Sequence, residues 1–121
     1  MKVFDASALL AFLYGEPGAE RVEAELGSGG ACSAANWSEI AQKCHAGSSD
    51  WTSARKLLLS FGLAVEPVTA ADAETAATLW ATGASLSLAD RLCLALGQRL
   101  SATVFTADRH WEGRSDVVLV R

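Results

Sequence analysis

Cysteine and histidine, the residues that most often bind zinc, are scarce in this sequence. The three cysteines, Cys32, Cys44 and Cys93, are odd in number and widely separated, and the two histidines are far apart. A disulfide framework or a zinc cluster would need paired spacings such as C-x-x-C, and none is present. We therefore predict reduced cysteines in the core of a cytoplasmic protein.

Long apolar runs are also missing. The longest run, over residues 6–14, is too short to cross a bilayer, and no secretory signal precedes the first predicted strand. The formal charge of −4 does not suit a basic nucleic-acid scaffold. Apolar residues, in contrast, make up half of the 121 residues, which is enough for one core. We predict a single domain over residues 1–121, with no membrane association.

Short apolar strands alternate with helices along the chain. The predicted strands are 3–4, 31–33, 63–65, 103–106 and 117–120. The predicted helices are 7–14, a second one that begins at Pro17, 34–45, one capped by Asp50, one from Thr69 to Gly83, and one from Ser87 to Leu100. This alternation predicts an α/β fold around a parallel sheet with helices on both faces. We expect Trp37, Trp51 and Trp80 in the core, and Trp111 either in the core or stacked on a base.

Several acids stand where such a fold would bind a ligand. Asp5 and Asp108 each lie just after a predicted strand, and α/β proteins bind ligands beyond the carboxyl ends of their strands. Helix capping is the ordinary alternative for both. It is also the alternative for Glu39, as the capping-box partner of Asn36, and for Asp90, as the capping-box partner of Ser87.

The apolar context of Asp5 and Asp90 argues against capping alone. Asp5 lies between a buried strand and an apolar helix, and Asp90 lies in a helix that is apolar nearly all round. A buried charge is unfavourable unless it is paired or bound to a cation, and two acids that meet repel each other. Oxygen ligands without histidine suit Mg²⁺ or Mn²⁺.

Four short blocks of sequence carry these acids. They are V-F-D-A-S-A-L-L at 3–10, N-W-S-E-I at 36–40, L-S-L-A-D-R-L-C-L-A at 86–95 and V-F-T-A-D-R at 104–109. In this order and at this spacing they resemble the PIN-domain family, and more closely its VapC toxin branch. The resemblance covers nearly the whole chain.

The resemblance implies a three-layer α/β/α sandwich with a parallel, flavodoxin-like sheet. It implies a Mg²⁺ or Mn²⁺ site and endonucleolytic cleavage of RNA by a toxin. It also implies inhibition by a cognate VapB-type antitoxin and assembly as a homodimer. The residues that it assigns to catalysis and metal binding are Asp5, Glu39, Asp90 and Asp108, and its hydroxyl position near the fourth acid falls on Thr106.

Two hydroxyls and four basic residues stand near these acids in the sequence. Ser7 and Thr106 are expected either to orient the carboxylates by hydrogen bonds or simply to cap strand ends. Positive charge is needed because four acids alone would repel a phosphate. The candidates for contacts with the RNA backbone are Arg91, Arg109, His110 and Arg114. Simple solvation of these cations is the alternative.

Two other functions fit parts of the sequence. A receiver-like, phosphorylatable signalling module shares the length, the acidity and the order of layers. It would need a pair of acids after the first strand and a lysine near the last, whereas Asp5 stands alone and no lysine follows Lys56. A catalytically inactive PIN-fold interaction protein is the second alternative, and the presence of all four acids argues against it.

Overall fold

Five strands and six α-helices make up the chain, which the computed structural model describes over residues 1–121. The strands are β1 (Lys2–Phe4), β2 (Gly30–Ser33), β3 (Leu63–Glu66), β4 (Thr103–Thr106) and β5 (Val117–Leu119). The helices are α1 (Ala6–Tyr14), α2 (Ala19–Leu26), α3 (Ala34–Ala46), α4 (Trp51–Ser60), α5 (Ala70–Thr78) and α6 (Leu88–Leu100), and one 3₁₀ turn covers Arg109–Trp111. None of the helices has the length and apolar composition that crossing a bilayer requires.

The five strands form one parallel sheet in the order β3-β2-β1-β4-β5. Val3 of β1 lies opposite Ala31 of β2 on one side and opposite Val104 of β4 on the other. The chain first builds outward from β1 to β3 and then returns to add β4 and β5 on the opposite side. The strand order therefore reverses between β1 and β4, and a crevice opens at such a reversal, beyond the carboxyl ends of the strands.

Side chains of β1 and β4 alternate between the two faces of the sheet and form two cores. On one face Phe4 and Phe105 stack with their ring centroids 5.5 Å apart and pack against α1 and α2. On the other face Val3 and Val104 pack against α6 and against the fully buried Trp111. Helices thus cover both faces, which confirms the predicted three-layer sandwich. Because Trp111 belongs to the core, it is not available to stack on a base.

The other three tryptophans differ in how far they are buried. Trp37 and Trp51 contact each other edge to face at 5.0 Å and pack, partly buried, against the first core. Trp80 is 63% exposed, so the prediction that it belongs to the core is wrong. The predicted helix runs to Gly83, but α5 ends at Thr78 and Trp80 lies in the turn beyond it. Helical spacing carries no information about burial once the helix has ended.

An ion pair joins α5 to α6. The carboxylate of Asp72, 4% exposed, accepts hydrogen bonds from Nε and Nη2 of Arg99 at 2.9 and 3.1 Å. It also accepts the backbone N–H of Thr69 and so completes a capping box. The hydrogen bond from the Arg99 guanidinium lowers the pKa of Asp72. The pair helps to fix α6, which carries Asp90 in its first turn.

The start of α2 packs against the segment that follows β5. The sequence predicts that this helix begins at Pro17, but it begins at Ala19. Gly18 forms its N-cap with a left-handed φ of 97°, which is not a helical conformation. A Cβ atom at Gly18 would lie 2.8 Å from the carbonyl oxygen of Val120. Only glycine therefore allows this close approach.

All three cysteines are buried, and none of them forms a disulfide bond. Burial raises the pKa of the Cys32 and Cys93 thiols well above the ordinary value. Both are therefore neutral core side chains at neutral pH. The prediction of buried, unpaired cysteines is confirmed.

Candidate active site

The four predicted acids line one cleft at the carboxyl ends of the strands, here called the acid cleft. Asp5 follows β1 and Asp108 follows β4, whereas Glu39 comes from α3 and Asp90 from the first turn of α6. The acid cleft has a volume of ≈ 420 Å³. Its other polar side chains are Ser7, Asn36, Gln42 and Lys43. The ends of the chain meet here because β1 and β4 are neighbours where the strand order reverses.

Asp5 is the most enclosed of the four acids, with only 3% of its surface exposed. Its Oδ2 accepts a hydrogen bond from Thr106 Oγ1 at 2.6 Å, and its Oδ1 accepts the backbone N–H of Ala8 at 2.8 Å. Burial nevertheless raises the pKa of Asp5 from 3.8 to about 6, with a smaller contribution from the negative charge of Asp90. At pH 7 this carboxyl group is therefore mostly ionised, although less completely than an exposed aspartate, and a neighbouring positive charge would favour its ionised form further.

Two hydroxyl groups tie the end of β4 to Asp5. Ser7 Oγ lies 2.8 Å from Asp5 Oδ1 and 3.1 Å from Thr106 Oγ1, and it accepts the backbone N–H of Ala107 at 2.9 Å. Thr106 Oγ1, fully buried, also accepts the backbone N–H of Asp108 at 3.0 Å. Both hydroxyls therefore do two things at once, because they orient a carboxylate and satisfy backbone donors at the end of a strand.

Asp90 and Asp108 cap local structure with one carboxylate oxygen each. Oδ2 of Asp90 accepts the backbone N–H of Ser87 at 2.9 Å in a capping box. Oδ1 of Asp108 accepts the backbone N–H of His110 at 2.9 Å. The capping alternative is therefore real, but it does not exclude a second role. Oδ1 of Asp90 and Oδ2 of Asp108 remain without a hydrogen-bond partner.

The first turn of α6 is more exposed than the sequence predicts. Leu88 is 58% exposed and Asp90 is half-buried, and continuous burial in α6 begins only at Cys93. The helix starts at the surface and runs inward along the sheet, so its apolar composition does not apply evenly along its length. The prediction that Asp90 is a buried charge is therefore wrong, whereas Asp5 is buried as predicted.

The side chains of the acid cleft are of the kind that binds a divalent cation, but they lie too far apart in this structure to coordinate one together. No three acidic, histidine or cysteine side chains in the structure stand close enough together to hold an ion. Four carboxylates nevertheless face one space with Lys43 as the single basic residue. Hard oxygen donors without nitrogen or sulfur suit Mg²⁺ or Mn²⁺. Binding would require the carboxylates to draw together.

The four basic residues considered for RNA contacts lie in different places. Arg91 points away from the acid cleft, and its Nη1 donates to the carbonyl oxygen of Ala76 at 3.0 Å, between α5 and α6. Arg114 is exposed and lines no cleft with the acids. Arg109 and His110 line a second cleft that adjoins the first. Only these last two therefore lie beside the acids.

Asn36 is a cleft residue that the sequence suggested only as a capping partner of Glu39. It is 1% exposed, and its Nδ2 donates to Oε1 of Glu39 at 2.7 Å. Its Oδ1 is buried without a partner. This contact holds one oxygen of an otherwise exposed glutamate and leaves Oε2 free. The spacing of three residues in N-W-S-E was the only signal for the pair.

Comparison with known families decides what kind of domain carries this cleft. The family model of the PIN domain matches residues 2–115. The chain belongs to the PIN-domain family. Its five-stranded parallel sheet with helices on both faces is the fold of a PIN domain. No curated protein sequence is significantly similar to the chain.

Solved structures with the same fold come from several bacteria. A toxin–antitoxin complex from Klebsiella pneumoniae matches with a TM-score of 0.79 and 18% identity, over 100% of this chain and 98% of that one. VapC20 of Mycobacterium tuberculosis, a Sarcin-Ricin loop cleaving toxin, matches with 0.70 and 20% over 88% of each chain. VapBC2 of Rickettsia felis, bound to a DNA fragment from their promoter, matches with 0.71 and 15% over 98% and 96%. At these identities the similarity is one of fold.

Proposed function

We propose that this chain is a divalent-metal-dependent endoribonuclease and the toxin of a VapBC-type toxin–antitoxin pair. The observation that carries the proposal is that four carboxylates line one cleft of a PIN domain. They are Asp5, Glu39, Asp90 and Asp108. Similar folds in a toxin–antitoxin complex, in a toxin that cleaves the Sarcin-Ricin loop and in VapBC2 support it.

We assign Mg²⁺ or Mn²⁺ to these four carboxylates. A cation held there would lower the pKa of a coordinated water towards neutrality and stabilise negative charge at phosphorus. Asp5 offers a carboxylate of fixed direction, because Ser7 and Thr106 hold it. Asp90 and Asp108 each offer an oxygen without another partner. The substrate is an RNA phosphodiester, in which water attacks phosphorus and one ester oxygen departs.

Other residues of the acid cleft have separate roles in the proposed hydrolysis. Glu39, whose Oε1 is held by Asn36, uses its other oxygen either to bind a second cation or to orient the attacking water. Lys43 follows Glu39 by one helical turn of α3 and reduces the repulsion between the acids and a phosphate. Ser7 and Thr106 keep the carboxylate of Asp5 in one orientation throughout.

We further infer a cognate VapB-type antitoxin, a homodimer and a cytoplasmic location. The antitoxin follows from the similarity to the toxin–antitoxin complex and to VapBC2. The location follows from the RNA substrate and from three free, buried cysteines, which suit a reducing compartment. The homodimer follows from the resemblance to the VapC branch.

The two alternative functions are a receiver-like signalling module and a catalytically inactive PIN fold. The receiver-like module is set aside because the chain belongs to the PIN-domain family. A catalytically inactive PIN fold remains an outcome of the experiment below. All four acids line the acid cleft, and this favours the nuclease.

Metal-dependent cleavage of RNA by the purified chain tests the proposal. We expect the wild type to cut RNA in Mn²⁺ and to lose this activity in EDTA, and we expect Asp90→Asn to be inactive. Asp50→Asn is the control, because Asp50 also caps a helix, as the N-cap residue of α4, but lies outside the acid cleft. Equal activity of Asp90→Asn and Asp50→Asn, or no cleavage by a folded, Mn²⁺-loaded wild type, would contradict the proposal.

A further inference from the structure

A second cleft, of ≈ 590 Å³, adjoins the acid cleft and shares Ser7 and Asp108 with it. We call it the basic cleft, because its charged side chains are mainly positive. Its lining residues are Ser7, Pro17, Ala107, Asp108, Arg109, His110 and Arg121. Asp108 therefore stands at the boundary between a cleft lined mainly by acidic side chains and a cleft lined mainly by basic ones.

Arg121 is the best-anchored basic group in this cleft. Its Nε donates to the carbonyl oxygen of Ala107 at 3.2 Å, on the same short segment that carries Thr106 and Asp108. Its Nη1 lies 3.8 Å from Oε1 of Glu16, which is too long for a hydrogen bond. The guanidinium group is thus oriented by the backbone but keeps N–H donors free for a ligand.

The backbone before Arg121 is also held in place. Val120 is 7% exposed, and it lies against Gly18 at the start of α2. Arg109, on the 3₁₀ turn, is exposed and forms no ion pair within the chain. His110 lies on the same turn, with Nδ1 2.8 Å from Oδ1 of Asp108. Two arginines and a histidine thus converge on one side of the acids, from different parts of the chain.

Positive charge stands on both sides of the acid cleft. Lys43 lines it on the α3 side, and Arg109 and Arg121 line the basic cleft on the β4 side. A strand whose cleaved phosphate lies at the acids would bring its neighbouring phosphates towards these flanks. Guanidinium groups bind phosphate oxygens through paired N–H donors, and backbone contacts of this kind fix the register of a strand.

We propose that the basic cleft is a phosphate subsite that holds the RNA strand beside the cleavage point, with Arg121 as its fixed residue. The proposal rests on the proposed ribonuclease function. It names a contact that is independent of base identity, because a guanidinium–phosphate pair carries no sequence information. It also gives the strand a path across the molecule, from Lys43 on α3 over the acids to Arg121 after β5.

Binding of RNA, measured apart from cleavage, tests the subsite. The probe is a short fluorescein-labelled single-stranded RNA of mixed sequence, titrated by anisotropy in Mn²⁺ with every variant built on Asp90→Asn. We expect Arg121→Gln to weaken binding about tenfold at low salt and to reduce the slope of log K against log salt by about 0.7. Arg55→Gln, which removes an exposed charge of α4 outside both clefts, is the matched control and should change neither value.

Further variants separate charge from geometry. Arg121→Lys should recover the salt slope but only part of the affinity, because an ammonium group lacks the paired donors of a guanidinium. Glu16→Gln should strengthen binding about twofold, because it removes the acid that faces Arg121. On the wild-type background, Arg121→Gln should raise KM several-fold and leave kcat within about twofold of the wild type.

The outcomes distinguish this proposal from the nuclease itself. If the wild type cuts RNA but Arg121→Gln binds RNA like Arg55→Gln, the nuclease stands and the subsite is refuted. If RNA binding depends on Arg121 but the wild type cuts nothing, the subsite stands and the nuclease fails. If Arg121→Gln loses affinity for an acidic peptide and none for RNA, the basic cleft serves a protein partner and the proposal is overturned.

Discussion

Replacing Asp5 with asparagine should stabilise the metal-free protein at neutral pH, although it removes a proposed metal ligand. Burial raises the pKa of Asp5 from 3.8 to about 6. A difference of one pH unit corresponds to about 1.36 kcal/mol, so an ionised Asp5 lowers the free energy of unfolding by up to about 3 kcal/mol. Asparagine keeps the shape without the charge, and imperfect hydrogen bonds to the two hydroxyls reduce the expected gain to about 1–3 kcal/mol.

The pH dependence of this gain has a definite sign. Between about pH 4 and about pH 6 the folded chain keeps a proton on Asp5 that the unfolded chain has released. The stability of the wild type relative to Asp5→Asn therefore falls as the pH rises through this window and is constant above it. At pH 4 this gain is absent and only the weaker hydrogen bonds of asparagine remain, so Asp5→Asn should be as stable as the wild type or up to about 2 kcal/mol less stable.

Urea unfolding in EDTA, followed by the fluorescence of the four tryptophans, measures the effect from pH 4 to pH 8. In saturating Mn²⁺ the order should reverse, because a bound cation stabilises only the protein that binds it. The reasoning would be refuted if Asp5→Asn were the less stable protein in EDTA at pH 7.5. A stability difference between the two proteins that did not vary with pH would also refute it.

Substitutions at three further positions test the packing of the domain. Thr106→Val should lower the free energy of unfolding in urea by about 1–3 kcal/mol and reduce RNA cleavage, because it removes the 2.6 Å hydrogen bond to Asp5. Thr106→Ser keeps the hydroxyl and should keep most of the stability and most of the cleavage activity. Asp72→Asn should destabilise the protein at neutral pH in urea unfolding. Because Arg99 lowers the pKa of Asp72, that difference should shrink as the pH falls through the lowered pKa; a constant difference would count against the ion pair. Gly97→Ala should lower the free energy of unfolding by about 1–3 kcal/mol despite the better helix propensity of alanine, because its Cβ would lie 2.6 Å from Cγ2 of Val104; an unchanged midpoint in urea would show that the core can adjust.

Much of the fold and the positions of two acids could be predicted from local pattern. Short apolar strands between helices predict a parallel sheet, and an acid directly after a strand then lies at the edge where ligands bind. Asp5 and Asp108 satisfy both conditions, and the structure places them in one cleft. Glu39 and Asp90 lie on helices, and only the family resemblance connected them to the other two.

Features that depend on contacts between residues distant in the sequence could not be predicted from local pattern. The burial of Asp72 follows from Arg99, which lies on another helix. Arg121 follows the last strand with no pattern around it, and its place beside Asp108 follows from the backbone contact with Ala107. Trp80 keeps its helical spacing but lies beyond the end of α5. Local spacing reports neither where a helix ends against its neighbours nor which charges meet.

A crystal grown in Mn²⁺ and measured at the manganese absorption edge tests the central claim most directly. We expect anomalous density in the acid cleft, in contact with oxygens of Asp5 and of at least two of Glu39, Asp90 and Asp108, with these carboxylates closer together than in the metal-free protein. If crystals grown in saturating Mn²⁺ showed no manganese in the acid cleft and the four carboxylates still apart, the proposed metal site would be contradicted.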